Sequence, residues 1–461
     1  MKKITLILFL FIVCNKSISQ NVNLYSQNDV NNFPANYPDV HSFSSITISG
    51  DDIVNLNTLN QVTEVTGDLY ITSPTVNHPL VDMSGLNNIT IINGRLSLVD
   101  LKNMNAINLF PNLLRIGSGN FGDGLSISGL TPQTISGFNI LANVSGDIAI
   151  QYTSDLVNLY GFDSLTKVKS IALNSQASIY IIENTALTSI NGFNNLNEIA
   201  SEYYFVNNPQ LISLPNTPNL TVIGTAITLQ GNGAIIDFNG LNALTTLGGK
   251  IIVQDNNNLS SFFGLNNLTT TNGIDIQNNP TLSSLTDLAA LVTFPFVGPT
   301  RPSINISNNN ALTSLTGLDH INGATIGDVV LQNNPNLSIC AIESFCEKIA
   351  FDTNSLGFTQ VSNNATNCNS ADEINNVCQL LSIDQIDADH AISIYPNPVK
   401  SVLNLTSLSP TNIVISDVLG RIRINTIIDN GHLEVSTLEK GIYFMQAMSN
   451  DRISNFKLIK E

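Results

Sequence analysis

The chain has 461 residues, of which only 11% are charged, and its formal net charge at pH 7 is −17. A chain of this length exceeds what one compact core normally holds, so we expect two domains or an array of repeats. Acidic residues dominate between positions 20 and 390, where the net charge reaches −21. Binding of nucleic acid requires clustered lysine and arginine, so we predict no nucleic-acid partner.

Residues 1–19 have the pattern of a secretory signal peptide. Lys2 and Lys3 give a positive start, an apolar run of ten residues follows, and a small-x-small tripeptide ends at Ser19. We predict that the mature chain begins at Gln20. A membrane anchor is the alternative, but ten apolar residues are too few to cross a bilayer, so we expect no integral membrane span after signal removal.

A five-residue phrase related to Gly-Leu-Asn-Asn-Leu recurs about every 24 residues. Clear copies occupy residues 85–89, 137–141, 161–165, 192–196, 240–244, 264–268 and 317–321. Each copy is followed by a short alternation of apolar and polar residues, such as Ile274–Gln277. Alternation places the apolar residues on one face of a strand, and a fixed period of this length is typical of a solenoid. We predict one strand per coil, stacked into a long parallel sheet over residues 20–339.

An asparagine follows each regular strand, three positions after its second apolar residue. The series is Asn184, Asn208, Asn232, Asn256, Asn279, Asn309 and Asn334. The combined pattern, L-x-L-x-x-N-x-x-L, resembles the leucine-rich repeat family. That resemblance implies that the asparagine amides form a ladder to backbone groups of neighbouring coils. The first four coils have Pro74, Leu101, Leu130 and Thr153 at this position, and they resemble receptor-L-type repeats of looser consensus.

The cysteines of the predicted mature chain are Cys340, Cys346, Cys368 and Cys378. An even number of cysteines within a short segment of an exported chain predicts two disulfides, with three pairings open. A zinc site is the alternative, but the Cys-x2-Cys spacing typical of zinc ligands is absent. We therefore predict a disulfide-stabilised cap at residues 340–378, followed by a linker at 379–390.

Residues 391–461 carry a different pattern, in which short alternating strands are separated by turn residues. This predicts a small antiparallel β-sandwich. Its most distinctive residues are Pro396, Asn397, Pro398, Gly420, Gly441, Lys457 and Lys460. The module resembles the C-terminal sorting domain of the type IX secretion system of Bacteroidetes. The resemblance implies a partnership with that machinery, export across the outer membrane and removal of the domain, after which the protein is surface-attached or released.

The predicted fold is thus a β-dominated α/β repeat solenoid followed by a small antiparallel β-sandwich. No motif for a catalytic nucleophile, a P-loop or a metalloprotease occurs, and the five histidines are scattered. We therefore expect no enzyme activity, no catalytic residue, no metal and no cofactor. The chain is predicted to act by binding.

The outward positions of the predicted sheet carry an aromatic and aliphatic patch. It comprises Tyr180, Ile182, Tyr204, Val206 and Ile252. Exposed apolar groups rimmed by polar residues often mark partner sites. We predict a secreted or cell-surface binding protein, adhesin-like, whose ligand is a protein or a glycan. The alternative is a polysaccharide-active or polysaccharide-binding accessory protein, which clustered carboxylates in one groove would favour.

We expect protein collected from the surface and medium of its native host to be shorter than the full chain. Its intact mass should correspond to loss of residues 1–19 and of the region after residue 390, because the signal and the sorting domain are both removed. A mass that retains the C-terminal module would contradict its interpretation as a sorting domain and make it a working part of the mature protein.

Overall fold

The computed structural model describes residues 16–73, 79–104, 108–120, 122–170, 177–295, 302–351, 358–386, 393–406, 411–449 and 452–461. Most of the predicted signal peptide, Pro74, and residues 387–390 of the predicted linker lie outside these ranges. The chain divides into two compact units, Met1–Asn375 and Asn376–Glu461. The first is a β-solenoid with a long parallel sheet, and the second holds antiparallel sheets. The predicted fold class is confirmed.

One strand from each coil joins a continuous parallel sheet, here called the long-strand sheet. With strands numbered in chain order, its described members are β1 (Lys16–Leu24), β2 (Val40–Ile48), β4 (Leu69–Thr72), β6 (Arg95–Val99), β8 (Gly124–Ser128), β11 (Asp147–Gln151), β14 (Ile179–Ile182), β17 (Tyr203–Val206), β19 (Ile227–Gln230), β21 (Ile251–Gln254), β22 (Ile274–Gln277), β23 (Ile304–Ser307), β24 (Val329–Gln332) and β25 (Phe358–Ser362). Each pairs with the next in nearly unbroken register, so residues at equal positions form columns along the solenoid axis.

Two further sides of each coil carry strands of only two residues. One ladder runs from β2 through β3 (Glu64–Val65), β5 (Ile91–Ile92), β7 (Arg115–Ile116), β10 (Asn143–Val144), β13 (Lys167–Val168), β16 (Glu198–Ile199), β18 (Val222–Ile223) and β20 (Thr246–Leu247). The other consists of β9 (Thr134–Ile135), β12 (Asn158–Leu159) and β15 (Ser189–Ile190).

Helices are short and lie mainly at the ends of the solenoid. They are α1 (Gln27–Asn31), α2 (Phe33–Asn36), α3 (Glu343–Phe351) and α4 (Ala371–Ile386), with 3-10 turns at Asn57–Leu59, Ser84–Leu86, Thr286–Leu288 and Gly323–Thr325. Ser26 caps α1 by accepting from the Asp29 amide. Val30 of α1 and Phe33 of α2 are fully buried in the end of the core, which closes the first coils against water.

Outside the long strand, about every third side chain of a coil points into the core. In one coil Leu259, Phe262, Leu265 and Leu268 are all fully buried. The Leu265 and Leu268 amides bond the carbonyls three residues earlier, so consecutive turns bring each of these side chains to the core. The recurring phrase seen in the sequence therefore builds turns, whereas the alternating segment builds the strand.

Aromatic rings stack along the core where the phrase contains phenylalanine. The rings of Phe138 and Phe162 lie 5.3 Å apart, and those of Phe162 and Phe193 lie 5.2 Å apart, with nearly parallel planes. Phe238 and Phe262 form a similar pair at 5.2 Å. Where consecutive coils carry phenylalanine at this position, each buries its ring against the ring of its neighbour.

All seven asparagines of the predicted series are fully buried and form one column. Asn256 illustrates the pattern. Its Oδ1 accepts the backbone N–H of Asn232 at 3.0 Å, and its Nδ2 donates to the carbonyl of Leu229 at 2.8 Å. The same two bonds recur from rung to rung, so each side chain ties together two neighbouring coils.

The column is longer than the predicted series. Asn364 adds a rung after Asn334. The Asn334 amide donates to Asn364 Oδ1 at 3.0 Å, and Asn364 Nδ2 donates to the Leu331 carbonyl at 2.9 Å. At the other end Thr153 occupies the position, and both its amide and its hydroxyl bond Asn184 Oδ1. Two earlier positions hold buried Leu101 and Leu130.

The residue before each of these positions has a positive φ, between 54° and 68°. The series is Asp100, Gly129, Tyr152, Glu183, Asn207, Gly231, Asp255, Asn278, Asn308, Asn333 and Asn363. Asparagine, aspartate and glycine tolerate this left-handed conformation best, which explains most of the column. Tyr152 and Glu183 adopt it at a cost in backbone strain.

The C-terminal unit contains two antiparallel sheets around a shared core. One has β26 (Ile394–Tyr395), β27 (Val402–Leu405) and β30 (His432–Glu434). The other has β29 (Ile422–Ile428), β28 (Thr411–Asp417), β31 (Gly441–Ser449) and β32 (Arg452–Lys460), in that order. Alternate residues such as Ile413, Ile415 and Leu458 are buried between the sheets. This is the predicted β-sandwich.

Two predicted boundaries differ from the structure. Strand β25 pairs with β24 and so continues the solenoid into the segment predicted as a separate cap, 340–378. Helix α4 runs to Ile386, so the first part of the predicted linker, 379–390, is helical. The sequence signs of a cap and a linker, cysteines and an absent repeat phrase, do not exclude a strand or a continuing helix.

Replacing Asn256 with alanine should lower the free energy of unfolding of the solenoid by about 3–5 kcal/mol. Two or more buried backbone groups lose their partner, at roughly 1–3 kcal/mol each. The matched control is Asn258→Ala in the same coil. The exposed Asn258 side chain donates to the Gly233 carbonyl, and its loss should cost about 1 kcal/mol or less. Equal urea midpoints for the two variants would contradict the structural weight given to the ladder.

Candidate ligand-binding face

The side of the long-strand sheet that faces away from the core presents three columns of side chains, and we call it the outer face. The centre column lies between the two inward residues of each strand and includes Tyr70, Ser97, Ser126, Ala149, Tyr180, Tyr204, Thr228, Ile252, Asp275, Asn305 and Val330. An edge column precedes the first inward residue, and a glutamine-rich column follows the second. These columns arise because parallel strands in register align equal positions.

Tyr180 and Tyr204 form the aromatic centre of the outer face. They are register partners on β14 and β17, and their rings meet edge to face with centroids 5.6 Å apart. On the opposite side of the same strand, the inward rings of Tyr203 and Phe205 also meet edge to face, at 4.7 Å. Aromatic groups on both sides stiffen β17 and fix the position of the outer tyrosines.

The predicted patch is less exposed than expected. Tyr180, Ile182, Tyr204 and Ile252 are half-buried, and Val206 is only 9% exposed. Strands about 4.8 Å apart bring outward side chains of successive coils into contact, so each covers part of the next. The five residues share one face as predicted, but the description of an exposed patch was wrong for Val206.

Two carboxylates that sequence reasoning missed flank the tyrosines. Asp147 and Glu202 both belong to the edge column, and the Tyr180 hydroxyl lies 3.5 Å from Glu202 Oε2. Ser178 lies between them, with its amide donating to Asp147 Oδ1 and its hydroxyl accepting from the Glu202 amide. Their shared position just before the first inward residue is the sequence signal that could have found them.

Burial perturbs this group electrostatically. It raises the pKa of Asp147, an effect that the Ser178 amide and the charge of Arg95 oppose. The pKa of Tyr180 is also raised, first by burial and further by Asp147 and Glu202, against a lowering hydrogen bond with Ser178. At neutral pH the tyrosine hydroxyl therefore stays protonated and can donate a hydrogen bond.

The outer face changes character toward the C-terminal coils. There Asp275 accepts hydrogen bonds from Gln254 at 3.2 Å, from Gln277 at 2.6 Å and from Asn305 at 3.1 Å. Ser307 extends the network by donating to Asn305 at 2.8 Å. These polar groups bond one another, whereas the coils near Tyr180 and Tyr204 present aromatic surface beside carboxylates.

The Pro-Asn-Pro segment of the C-terminal unit is fastened to its last strand. Asn397 donates to the Lys457 carbonyl at 2.7 Å and accepts from the Ile459 amide at 2.9 Å. Both Pro396 and Pro398 follow cis peptide bonds. The side chain of Asn397 thus pairs with β32 as a neighbouring strand would.

The turn between β28 and β29 is organised by Asp417. Its carboxylate accepts from the amides of Leu419 and Arg421 and forms ion pairs with the guanidinium groups of Arg421 and Arg423, each at 2.8 Å. Burial alone would raise the pKa of Asp417, but the hydrogen bonds from Arg423 and Arg421 outweigh it and lower the pKa. Gly420 has a φ of 76° within this turn, as a tight turn requires.

The other predicted motif residues have structural positions in the same unit. Gly441 begins β31, Lys460 is buried with its ammonium group 2.6 Å from the Glu461 carbonyl, and Lys457 is exposed. Gly420 therefore lies in the turn after β28, and Gly441 lies at the start of β31. The Pro-Asn-Pro segment is bonded to β32, which carries Lys457 and Lys460.

Residues 393–461 match the family model of the secretion system C-terminal sorting domain. They are a type IX secretion sorting domain. Residues 122–223 match the receptor L domain, and the preceding solenoid is leucine-rich-repeat-like. The receptor L match covers β8 through β18, so it includes the two later irregular coils, those of Leu130 and Thr153, and continues into the regular coils. No curated protein matches the chain.

The sorting domain places the protein at the cell surface or in the extracellular space, as predicted, and implies interaction with the secretion machinery. Among the described residues, no helix is long and apolar enough to span a membrane. Within the same ranges, no group of three or more histidine, cysteine or acidic side chains is arranged to hold a metal ion.

Disulfides fit this destination. Cys340 and Cys368 bond each other, with Cα atoms 5.6 Å apart, across the junction of β24, α3 and β25. Cys346 and Cys378 are also disulfide-bonded. The Cys340–Cys368 bond closes a long loop at the end of the solenoid, which stabilises the last coils by restricting the unfolded chain.

Replacing Asn397 with alanine should loosen β32 and lower the stability of the sorting domain by about 1–3 kcal/mol, since two hydrogen bonds are lost. We expect less protein in the medium and on the surface of the native host, measured by immunoblot. The exposed Asn425 provides the control, and Asn425→Ala should leave export unchanged. Normal export of the Asn397 variant would show that the hydrogen bonds between Asn397 and β32 are dispensable for export.

Proposed function

We propose that this protein is an extracellular glycan-binding protein that recognises its ligand on the outer face, and that it binds the ligand without transforming it. The observation that carries the proposal is the pair of half-buried tyrosines, Tyr180 and Tyr204, set beside Asp147 and Glu202. Tyrosine rings offer a flat apolar surface for a sugar ring, and carboxylates accept hydrogen bonds from its hydroxyl groups.

The raised pKa of Asp147 supports a functional role for the cluster of Tyr180, Tyr204, Asp147 and Glu202. The raised pKa means that the ionised carboxylate of Asp147 is held at a cost to folding, which is a common property of functional sites. A carboxyl group whose pKa is raised on folding destabilises the protein at neutral pH, and the penalty disappears as the pH falls through the raised pKa.

Protein recognition, as in an adhesin, is the second candidate. Ile182 and Ile252 add aliphatic surface around the tyrosines, and such surface is typical of protein interfaces. The carboxylates beside the tyrosines favour a glycan, because a charge-poor patch would be easier to bury against another protein. An array that contains both glycans and host proteins separates the two candidates.

A polysaccharide-cleaving activity is the third candidate, and the same carboxylates motivate it. Glycoside hydrolysis uses two carboxyl groups, one as the general acid and the other as the base or nucleophile. Incubating each bound oligosaccharide with the mature protein, followed by chromatography, tests this directly. Shortened products would replace the binding proposal with an enzymatic one.

Replacing Tyr180 and Tyr204 together with alanine should weaken glycan capture at least about tenfold, equivalent to roughly 1.4 kcal/mol. The measurement is titration calorimetry or array binding with the mature chain. Tyr160→Ala is the matched control, because Tyr160 is an exposed tyrosine after β12, on another side of the coil. Unchanged capture by the double variant, with the fold verified by circular dichroism, would refute the proposed face.

A further inference from the structure

A polar cavity opens on the outer face toward its N-terminal end. It is a cavity of about 510 Å³ whose lining includes Tyr70, Arg95, Ser97 and Asp123. Tyr70 is 38% exposed and belongs to the centre column, as do Tyr180 and Tyr204. The cavity therefore combines an aromatic ring with hydroxyl and charged groups, in the same column as the tyrosine pair.

The lining of this cavity is held in place by hydrogen bonds. Arg95 donates through Nε to the Gly122 carbonyl at 2.6 Å, and its amide bonds Asp68 Oδ1 at 2.7 Å. Asp123 Oδ2 accepts the amides of Ser118, Gly119 and Asn120 at 2.8–3.0 Å. A lining fixed in this way loses little conformational freedom when a ligand binds.

Small residues connect the two aromatic positions. Between Tyr70 and Tyr180 the centre column contains only Ser97, Ser126 and Ala149. Large aromatic rings therefore lie at both ends of a shallow surface made of small side chains. We call the stretch of the centre column from Tyr70 to Tyr180 the trough. Four inter-strand steps separate β4 from β14, so the trough is about 19 Å long at roughly 4.8 Å per step.

Both walls of the trough carry hydrogen-bonding groups. Arg95 and Asp147 stand in the edge column, and Ser128 and Gln151 stand in the column on the other side. Asp68 and Asp123 line the same cavity as Arg95, and Asp147 is close enough for the charge of Arg95 to act on its pKa. Three carboxylates around one arginine make the local charge acidic. Such a surface repels a polyanion and suits a ligand with many neutral hydroxyl groups.

We propose that the trough binds a neutral linear polysaccharide that lies along the solenoid axis and stacks on Tyr70 at one end and on Tyr180 at the other. One sugar unit extends a glycan chain by about the same distance as one inter-strand step, so roughly four units span the two tyrosines. This inference rests on the proposed function, since it assigns the class, orientation and minimum length of the glycan bound there.

The test compares the affinities of short and long oligosaccharide probes for the mature protein. The probes are two-unit and six-unit β-1,4-glucan, β-1,3-glucan, β-1,4-mannan and α-1,4-glucan, with polygalacturonate as the polyanion. For at least one neutral series we expect the six-unit probe to bind ten times or more tightly than the two-unit probe, because only the long chain reaches both tyrosines. Polygalacturonate should bind more weakly than the best neutral probe.

Two variants locate the ligand in the trough. Tyr70→Ala should remove the advantage of the six-unit probe while leaving two-unit binding at Tyr180 and Tyr204 unchanged. Ser126→Phe should block the six-unit probe by filling the trough, and it also leaves the tyrosines intact. Tyr160→Ala is the control for both, and circular dichroism verifies that each variant is folded.

The outcomes separate this inference from the proposed function. Equal affinities for short and long probes, or an unchanged six-unit affinity in both Tyr70→Ala and Ser126→Phe, would overturn the trough while glycan capture at Tyr180 and Tyr204 stands. Failure of every neutral probe to bind would overturn the proposed glycan function and the trough together.

Discussion

Each coil of the solenoid turns toward its core directly after a long strand, and that turn buries backbone amides and carbonyls that need partners. Asparagine solves the problem because one side chain both accepts and donates. The bonds of Asn256 to Asn232 and Leu229 show the solution, and its repetition from Thr153 to Asn364 aligns the coils. With coils aligned, strands keep register, and register in turn creates the columns of the outer face.

The coils without asparagine rungs are also those that form most of the trough. Leu101 and Leu130 fill the rung positions with apolar groups, yet the preceding Asp100 and Gly129 keep the left-handed turn. The turn geometry is therefore more constant than the side chain that satisfies it. Next to these coils, Gly122 and Asp123 line the cavity beside Arg95, where the Gly122 carbonyl accepts from Arg95 Nε and Asp123 accepts the Ser118 amide.

Sequence periodicity predicted the solenoid and the asparagine series because both depend on local spacing, whereas the sorting domain was predicted from the resemblance of its motifs to a known family. Periodicity missed Asn364, since cysteines in the same segment suggested a separate cap, and it missed the end of α4 because no repeat phrase marks residues 379–386. It placed Val206 correctly on the outer face but not its burial, which depends on contacts with neighbouring coils. Asp147 and Glu202 came together only once the register of the irregular coils was known.

The rungs of the ladder are chemically interchangeable, and this bears on how such a protein can change over time. Each internal asparagine rung bonds the rung before it and the rung after it through the same atoms each time. A coil gained or lost as a unit would leave every remaining rung with equivalent partners. The binding surface could then be lengthened or shortened in steps of one strand while the ends and the export signal stay the same.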